Sequence, residues 1–426
     1  MIKYIVLTVF ALIGFTKLSA QESWAFNLIN NKVSYSCGEE VKLNLTFKEN
    51  EFSNFKGKKY TVTYFEEGKN KLNTQEGIVK KKDELIRIPG ANTPQIMRIK
   101  VELDAEGTKK IKHLGVAFDP DKIKTTTVMP NDFLSFWDKQ LNALGDIALD
   151  PQMKLISSTD STEVYHIDYK VDQLGSRFYG VLTLPKNAMT QKYPAIVTFP
   201  GAGVRSYPGD SRYAQKGIIT LQVGVHGLPI DMPSTAYQAL ASGALNGYQY
   251  YNLQSKEKYY FNRVIKGCVR AIDFLNTLEQ FDGENIVVNG SSQGGALSLI
   301  TGAIDKRVKA IAAYCPALCQ TNGSAFGVAT GWPKPLLGAE ANKSYFQDWE
   351  SVIPYYDAVN FSRYIDVPVF MTFGLIDDVT PGTTVFAAYN NVKSEKTNYI
   401  MADVAHANHY TQVQAVTNFI LKFLGK

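Results

Sequence analysis

The chain has 426 residues, 45% of them hydrophobic and 20% charged, with a formal net charge of +5. Such a composition is too apolar for a disordered chain and too evenly mixed for a collagen or a coiled coil. The near balance of charge, without a polybasic run or zinc-finger spacing, excludes a strongly basic nucleic-acid binder. The length fits two domains.

Met1 to Ala20 has the pattern of a cleavable secretory signal. Lys3 gives a positive start, Ile5 to Phe15 is apolar but too short to span a bilayer, and Leu18-Ser19-Ala20 offers small residues for cleavage. The protein is therefore expected to be secreted or periplasmic, and no later stretch is long and apolar enough for a membrane span. Cys37, Cys268, Cys315 and Cys319 are too few for a disulfide scaffold and are expected as buried, inert thiols.

From residue 21 to 118 the pattern is short alternating runs. Val41 to Phe47, Tyr60 to Tyr64 and Ile96 to Val101 have period two and are separated by turn-prone residues. This predicts a small antiparallel, immunoglobulin-like β-sandwich, one face buried and one wet, with no chemistry visible in it. Residues 119–130 read as a linker. Asn131 or Asp132 can cap a helix carrying Phe133, Phe136, Trp137, Leu141 and Leu144.

The third region, 131–426, has another texture. Apolar runs at Arg177 to Leu184, Tyr193 to Phe199, Ile218 to Val223, Asn285 to Asn289, Val308 to Ala313 and Val367 to Phe373 are strand-like. Helical stretches lie among them at Val264 to Leu278 and Ala296 to Ala303, with a closing helix from Thr411 to Leu424. Buried strands alternating with helices predict an α/β domain whose mostly parallel sheet is covered on both faces.

Gly290-Ser291-Ser292-Gln293-Gly294-Gly295 stands between a predicted strand and a predicted helix. G-x-S-x-G in that context is a nucleophile elbow, a turn so tight that small residues are needed two before and two after the serine. Only Ser292 has glycine at both places. A serine hydroxyl needs a base to take its proton, and in this architecture an acid and then a histidine follow the serine in the chain. That order excludes His113, His166 and His226. Of His406 and His409, His406 is preferred for its small neighbours and earlier place in the loop, His409 being the candidate helix-start residue. A His-x-x-His metal pair lacks a third ligand, so no metal is assigned. Asp377, first after the apolar Leu375-Ile376 pair, is preferred to Asp378 as the group that orients the imidazole. The oxyanion hole is expected from the backbone N–H of Gln293 and an N–H of Pro200-Gly201-Ala202-Gly203, with Ala202 preferred; such donors are worth roughly 3–4 kcal/mol each. The tyrosines from Tyr248 to Tyr260 either stack on a sugar or pack between helix and sheet.

Longer motifs add a resemblance. Met129-Pro130-Asn131-Asp132-Phe133, Cys268 to Leu275, Ser292-Gln293-Gly294-Gly295, Lys306 to Ala310, Gly374-Leu375-Ile376-Asp377, Thr380-Pro381 and Thr384 to Asn390 together resemble the acetyl xylan esterase and cephalosporin-C deacetylase family of α/β-hydrolases. The resemblance runs from about Met129 to the C-terminus. It implies an α/β-hydrolase fold and removal of acetyl groups from sugar hydroxyls, with no cofactor or metal. Its nucleophile, acid and histidine fall on Ser292, Asp377 and His406, and its oxyanion donors on Ala202 and Gln293. The chain departs from the family at three places. His226 stands where the family has arginine, Pro200-Gly201-Ala202 replaces His-Gly-Tyr, and Ala407 follows the histidine instead of glutamate. His226 is then either a lining of the substrate pocket or a satisfied structural histidine. The expected partner is an acetylated oligo- or polysaccharide, and a homo-oligomer is compatible with the resemblance. The rival functions are hydrolysis of another acyl bond (a pectin methyl ester, a lipid ester or a peptide) and non-catalytic carbohydrate binding on a hydrolase scaffold.

Overall fold

A computed structural model describes residues 23–68, 71–105, 107–186, 191–337 and 343–426; the expected leader, Met1 to Ala20, lies outside them. Eight strands come first: β1 (Trp24–Leu28), β2 (Ser34–Tyr35), β3 (Val41–Phe47), β4 (Lys59–Glu66), β5 (Lys71–Ile78), β6 (Asp83–Ile88), β7 (Gln95–Ala105) and β8 (Thr108–Phe118). They form two sheets, β1-β3-β6 and β2-β8-β7-β4-β5, antiparallel except where β2 pairs with β8. Period-two burial in β3 sends Val41, Leu43, Leu45 and Phe47 inward, where they meet Val62, Ile99, Val101 and Val116 in one apolar core.

The outer face of β7 is not wet throughout, because Gln95 to Ile99 are all buried. Met97, Ile99 and Val101 belong to the sandwich core, whereas Ile96 joins the apolar core built on the strands that follow.

Residues 119–130 carry a short 3-10 turn, Pro120–Lys122, and the next helix, Phe133–Asn142, buries Phe133, Phe136 and Trp137. Trp137 donates to the Tyr355 carbonyl at 2.9 Å. Nine strands follow: β9 (Gln152–Ser158), β10 (Thr162–Lys170), β11 (Arg177–Pro185), β12 (Tyr193–Phe199), β13 (Ile219–Val223), β14 (Phe281–Ser291), β15 (Val308–Tyr314), β16 (Val369–Gly374) and β17 (Lys396–Met401). They make one sheet in the order β17-β16-β15-β14-β12-β13-β11-β10-β9. The six strands from β17 to β13 pair in parallel, and β11, β10 and β9 continue antiparallel. The parallel strands have apolar residues on both faces, as burial by helices on both sides requires. The helices Tyr260–Leu275 and Gln293–Ile304 are buried along most of their length.

Chain order fixes where a site can form. After β12 the chain moves to β13 on one side, then returns to place β14 on the other. The crevice at the C-terminal ends of β12 and β14 is thus a topological switch point, where open α/β sheets bind their ligands. Among the described residues no helix is long and apolar enough to cross a membrane.

Candidate active site

Five neighbouring strands end in five neighbouring loops at that edge. In the order β17, β16, β15, β14, β12 they deliver His406, Asp377, Cys315, Ser292 and the Pro200–Gly203 segment.

Ser292 joins β14 directly to the helix Gln293–Ile304 and holds φ 59°, ψ −118°. That is strained backbone for a residue with a side chain, the mark of an elbow that pushes its hydroxyl out of the turn. The glycines around it answer to close approach. A Cβ on Gly294 would lie 2.1 Å from the Phe199 carbonyl oxygen, and one on Gly290 would lie 2.5 Å from the Gly294 backbone. Both obstructions are main chain and cannot swing aside. Gly294→Ala is therefore expected to cost roughly 3 kcal/mol or more of stability, read as a lowered urea midpoint.

The Ser292 hydroxyl lies 3.0 Å from His406 Nε2, and His406 Nδ1 lies 2.7 Å from Asp377 Oδ2. Asp377 is fully buried. Its Oδ1 accepts from the Val379 and Thr380 amides at 2.8 and 2.9 Å, and its Oδ2 from the Thr380 hydroxyl at 2.8 Å. Burial by itself would raise the Asp377 pKa, but His406 and the Thr380 donors outweigh it and hold the carboxyl below its ordinary value. An ionised carboxylate can only accept, so Nδ1 carries the imidazole proton and Nε2 is left to accept from the serine. Burial likewise works to lower the His406 pKa, and the hydrogen bond to Asp377, with Cys315 close by, holds it above the usual imidazole value instead. Asp378, the alternative acid, has a side chain 90% exposed and paired with Arg98. His409, the alternative base, caps the final helix, Tyr410–Phe423, in a capping box with Gln412.

The Pro200–Gly203 segment lies beside the elbow. Arg205 donates to the Ala202 carbonyl at 2.9 Å and to the Gly201 carbonyl at 3.4 Å. A trans peptide places its N–H opposite its C=O, so the Ala202 N–H points away from Arg205. The Gln293 N–H belongs to the first residue of its helix and has no intrahelical acceptor. The Gln293 side chain ties the two loops together: its Oε1 accepts from the Tyr248 hydroxyl at 2.8 Å and its amide reaches the Pro200 carbonyl at 3.4 Å.

His226 is placed behind this segment. Its Nε2 lies 3.0 Å from the Gly203 carbonyl and its Nδ1 lies 2.7 Å from the Tyr260 hydroxyl. A carbonyl only accepts, so Nε2 carries the proton and Tyr260 donates to Nδ1. Burial takes the His226 pKa down to about 4, against the pull of the Gly203 hydrogen bond, so the ring is neutral at pH 7. With both nitrogens engaged, His226 is a satisfied histidine that braces the loop. Sequence reasoning missed this brace because its acceptor lies 23 residues away on another strand's loop. The tyrosines from Tyr248 to Tyr260 are mostly packed likewise: Tyr248, Tyr259 and Tyr260 are buried, and Tyr250 stacks on Trp349.

The four thiols are free. Cys268 and Cys319 are buried and held well above the usual thiol pKa by that burial, while Cys37 is only half-buried. Cys315 lies near the polar row, with its sulfur 3.6 Å from the Ser291 hydroxyl. The donor atoms of Cys315, Asp377 and His406 lie within 4.8 Å of one another. His406 Nδ1 and Asp377 Oδ2 already share a proton, and Asp377 takes three further donors, which suits proton handling rather than metal ligation.

A mostly parallel sheet with an elbow serine at its switch point gives the protein an α/β-hydrolase fold. The chain belongs to the acetyl xylan esterase (AXE1) family, whose model matches residues 120–424. It is accordingly a serine carboxylic ester hydrolase with an additional amino-terminal β-region. Acetyl esterase Axe7A of Xylanibacter ruminicola is 34% identical over 312 residues, which cover 71% of this chain and 70% of that protein. Among solved structures, an acetyl xylan esterase from Paenibacillus sp. R4 superposes with a TM-score of 0.63 at 26% identity, covering 72% of this chain and 98% of that one. Acetyl xylan esterase 1 from Thermoanaerobacterium sp. JW/SL YS485 shares the fold with a TM-score of 0.63 at 23% identity, covering 71% and 97%.

Proposed function

We propose that the protein removes acetyl groups from acetylated xylan or xylo-oligosaccharides through an acetyl-enzyme on Ser292. The observation that carries this reading is the hydrogen-bonded row Asp377–His406–Ser292, at 2.7 and 3.0 Å, in a chain of this family. Ser292 Oγ bonds to the acetyl carbon as its proton passes to His406 Nε2. The oxyanion is met by the Gln293 and Ala202 N–H groups. His406 then gives the proton to the departing sugar oxygen as the ester C–O bond breaks. Water repeats the sequence, with His406 as base, and frees acetate and the serine. Asp377 keeps the proton on Nδ1 and stabilises the imidazolium that forms at each transfer. The family relationship and the acetyl esterase relative support the acetyl group and the carbohydrate. Export rests on the charged-then-apolar pattern of Met1 to Ala20.

The test is a series of acyl esters of rising chain length, with a methyl ester, a peptide amide and acetylated xylo-oligosaccharides. Acetyl esters are expected to give the highest kcat/KM, and free acetate to appear from the acetylated sugars. Preference for long acyl chains or for the amide would overturn the assignment.

A further inference from the structure

The amino-terminal sandwich reaches the acid loop with a buried ion pair. Arg98, on the outer face of β7, and Glu67, just past β4, are 8% and 3% exposed. Glu67 Oε1 accepts from Arg98 Nε at 3.1 Å and Nη2 at 2.8 Å. The same guanidinium continues into the hydrolase domain. Nη2 donates to the Asp377 carbonyl, and Nη1 donates to the Asp378 carboxylate and, at 3.5 Å, to the Ile376 carbonyl. Glu67 in turn accepts the Gly382 and Thr383 amides, at 3.2 and 2.7 Å, at the start of the helix Gly382–Asn391. A carboxylate is favoured there by the unpaired N–H groups and the helix dipole. Residues 376–383, which carry Asp377, are thus pinned at both ends by one ion pair from the other domain.

Backbone packing reinforces the placement. The Gly115 amide of β8 donates to the Ala402 carbonyl at 2.7 Å, in the loop that leads to His406. A Cβ on Gly115 would lie 2.4 Å from Leu375 Cβ, so only glycine lets β8 come this close. The main chains flanking both Asp377 and His406 therefore rest on β7 and β8.

We propose that Arg98, oriented by Glu67, is a positioning residue for the acid of this esterase: it fixes the main chain at 376–378 so that the Asp377 carboxylate meets His406 squarely. The inference rests on the reading of Asp377 as the acid. A planar guanidinium can hold two carbonyls and a carboxylate at fixed angles, which a lysine ammonium, a single point of charge, cannot do. An error of about 1 Å in such a constellation costs on the order of a hundredfold in rate. The sandwich thereby becomes part of the active-site apparatus and not a spacer.

The experiment compares full-length Arg98→Lys, Arg98→Met, Glu67→Gln, Asp377→Asn and the double variant Arg98→Lys/Asp377→Asn, measuring kcat, KM and the pH profile of kcat/KM on one acetyl ester. Arg98→Lys is expected to lower kcat roughly ten- to a hundredfold with KM within about twofold. Its ascending pH limb should move to lower pH, as His406 loses part of its contact with the anion. Arg98→Met should be worse, Arg98→Lys a partial rescue of it, and Glu67→Gln should act in the same direction. In the Asp377→Asn background, Arg98→Lys should cost no more than about a further twofold, because both changes break one device. Loss of folded protein lowers apparent kcat but cannot move the pH limb, so a fall in kcat with an unmoved limb would overturn the proposal. Full additivity in the double variant would overturn it too. If Arg98→Lys does not fold, the same readouts from Glu67→Gln decide. A wild-type limb and kcat in Arg98→Lys beside a crippled Asp377→Asn would defeat this inference alone; an unimpaired Asp377→Asn would defeat the reading of the acid on which it stands.

Discussion

Ser292→Ala is expected to lower kcat/KM for acetyl esters by about 10⁴- to 10⁶-fold with the fold unchanged. The size follows from chemistry: without the hydroxyl there is no acyl-enzyme, and only binding and the oxyanion donors remain to speed attack by water. The structure gives little reason for a loss of stability. The Ser292 side chain makes no capping hydrogen bond to its helix, and alanine fits the same turn with the same backbone strain. The thermal midpoint should therefore stay within a few degrees of wild type, a change of less than about 1 kcal/mol. Acetate release, followed with circular dichroism melting, checks both halves. Activity within tenfold of wild type would remove Ser292 from the chemistry.

Asp377→Asn is expected to cost on the order of 10⁴-fold in kcat, since an amide facing Nδ1 favours the wrong tautomer and leaves the imidazolium without its counter-charge. The pH profile carries the sign. His406 is held above the ordinary imidazole value chiefly by its hydrogen bond to Asp377. Kcat/KM requires a neutral imidazole, so in wild type its ascending limb should lie above pH 6.5, the ordinary imidazole pKa. Removing the anion takes away the interaction that favours the imidazolium, so the limb should move toward lower pH. Asp378→Asn is the control. Its carboxylate is 90% exposed, and Arg98 keeps its hold on the Ile376 and Asp377 carbonyls without it, so a loss of less than about fivefold is expected. Equal damage from both variants would contradict the assignment of the acid.

Local constraints made parts of this architecture legible. The parallel strands announce themselves as apolar runs because both faces are covered, and Ser292 stands out because an elbow demands glycine two places away on each side. Asp377 and His406 could be ranked by local surroundings, and their rivals have other work, Asp378 facing solvent beside Arg98 and His409 capping a helix. The hairpin β9–β10 was not legible. All of β9 is exposed, at the edge of the sheet, so it lacks the inward-facing stripe that marks a strand. The helix Gly382–Asn391 was not legible as an element, since it begins after Pro381 with its first amides satisfied by Glu67 from the amino-terminal sheets. Arg98 was invisible for a related reason. An arginine at the outward position of an alternating strand looks solvated, and its partners around Asp377 are 278 to 280 residues away. Neither propensity nor periodicity carries a signal over that distance.

The most direct test of the central claim is to quench the reaction with an acetyl ester within one turnover and map the modified residue by mass spectrometry of peptides. The wild type and the Asp377→Asn variant, in which both proton transfers are slowed alike, should both carry the species when the ester's leaving group is good enough for acylation to outrun deacylation. The account predicts one added acetyl group on the peptide containing Ser292 and none after Ser292→Ala. Acetyl carried by any other residue, or turnover with no acyl-enzyme in either form, would contradict it.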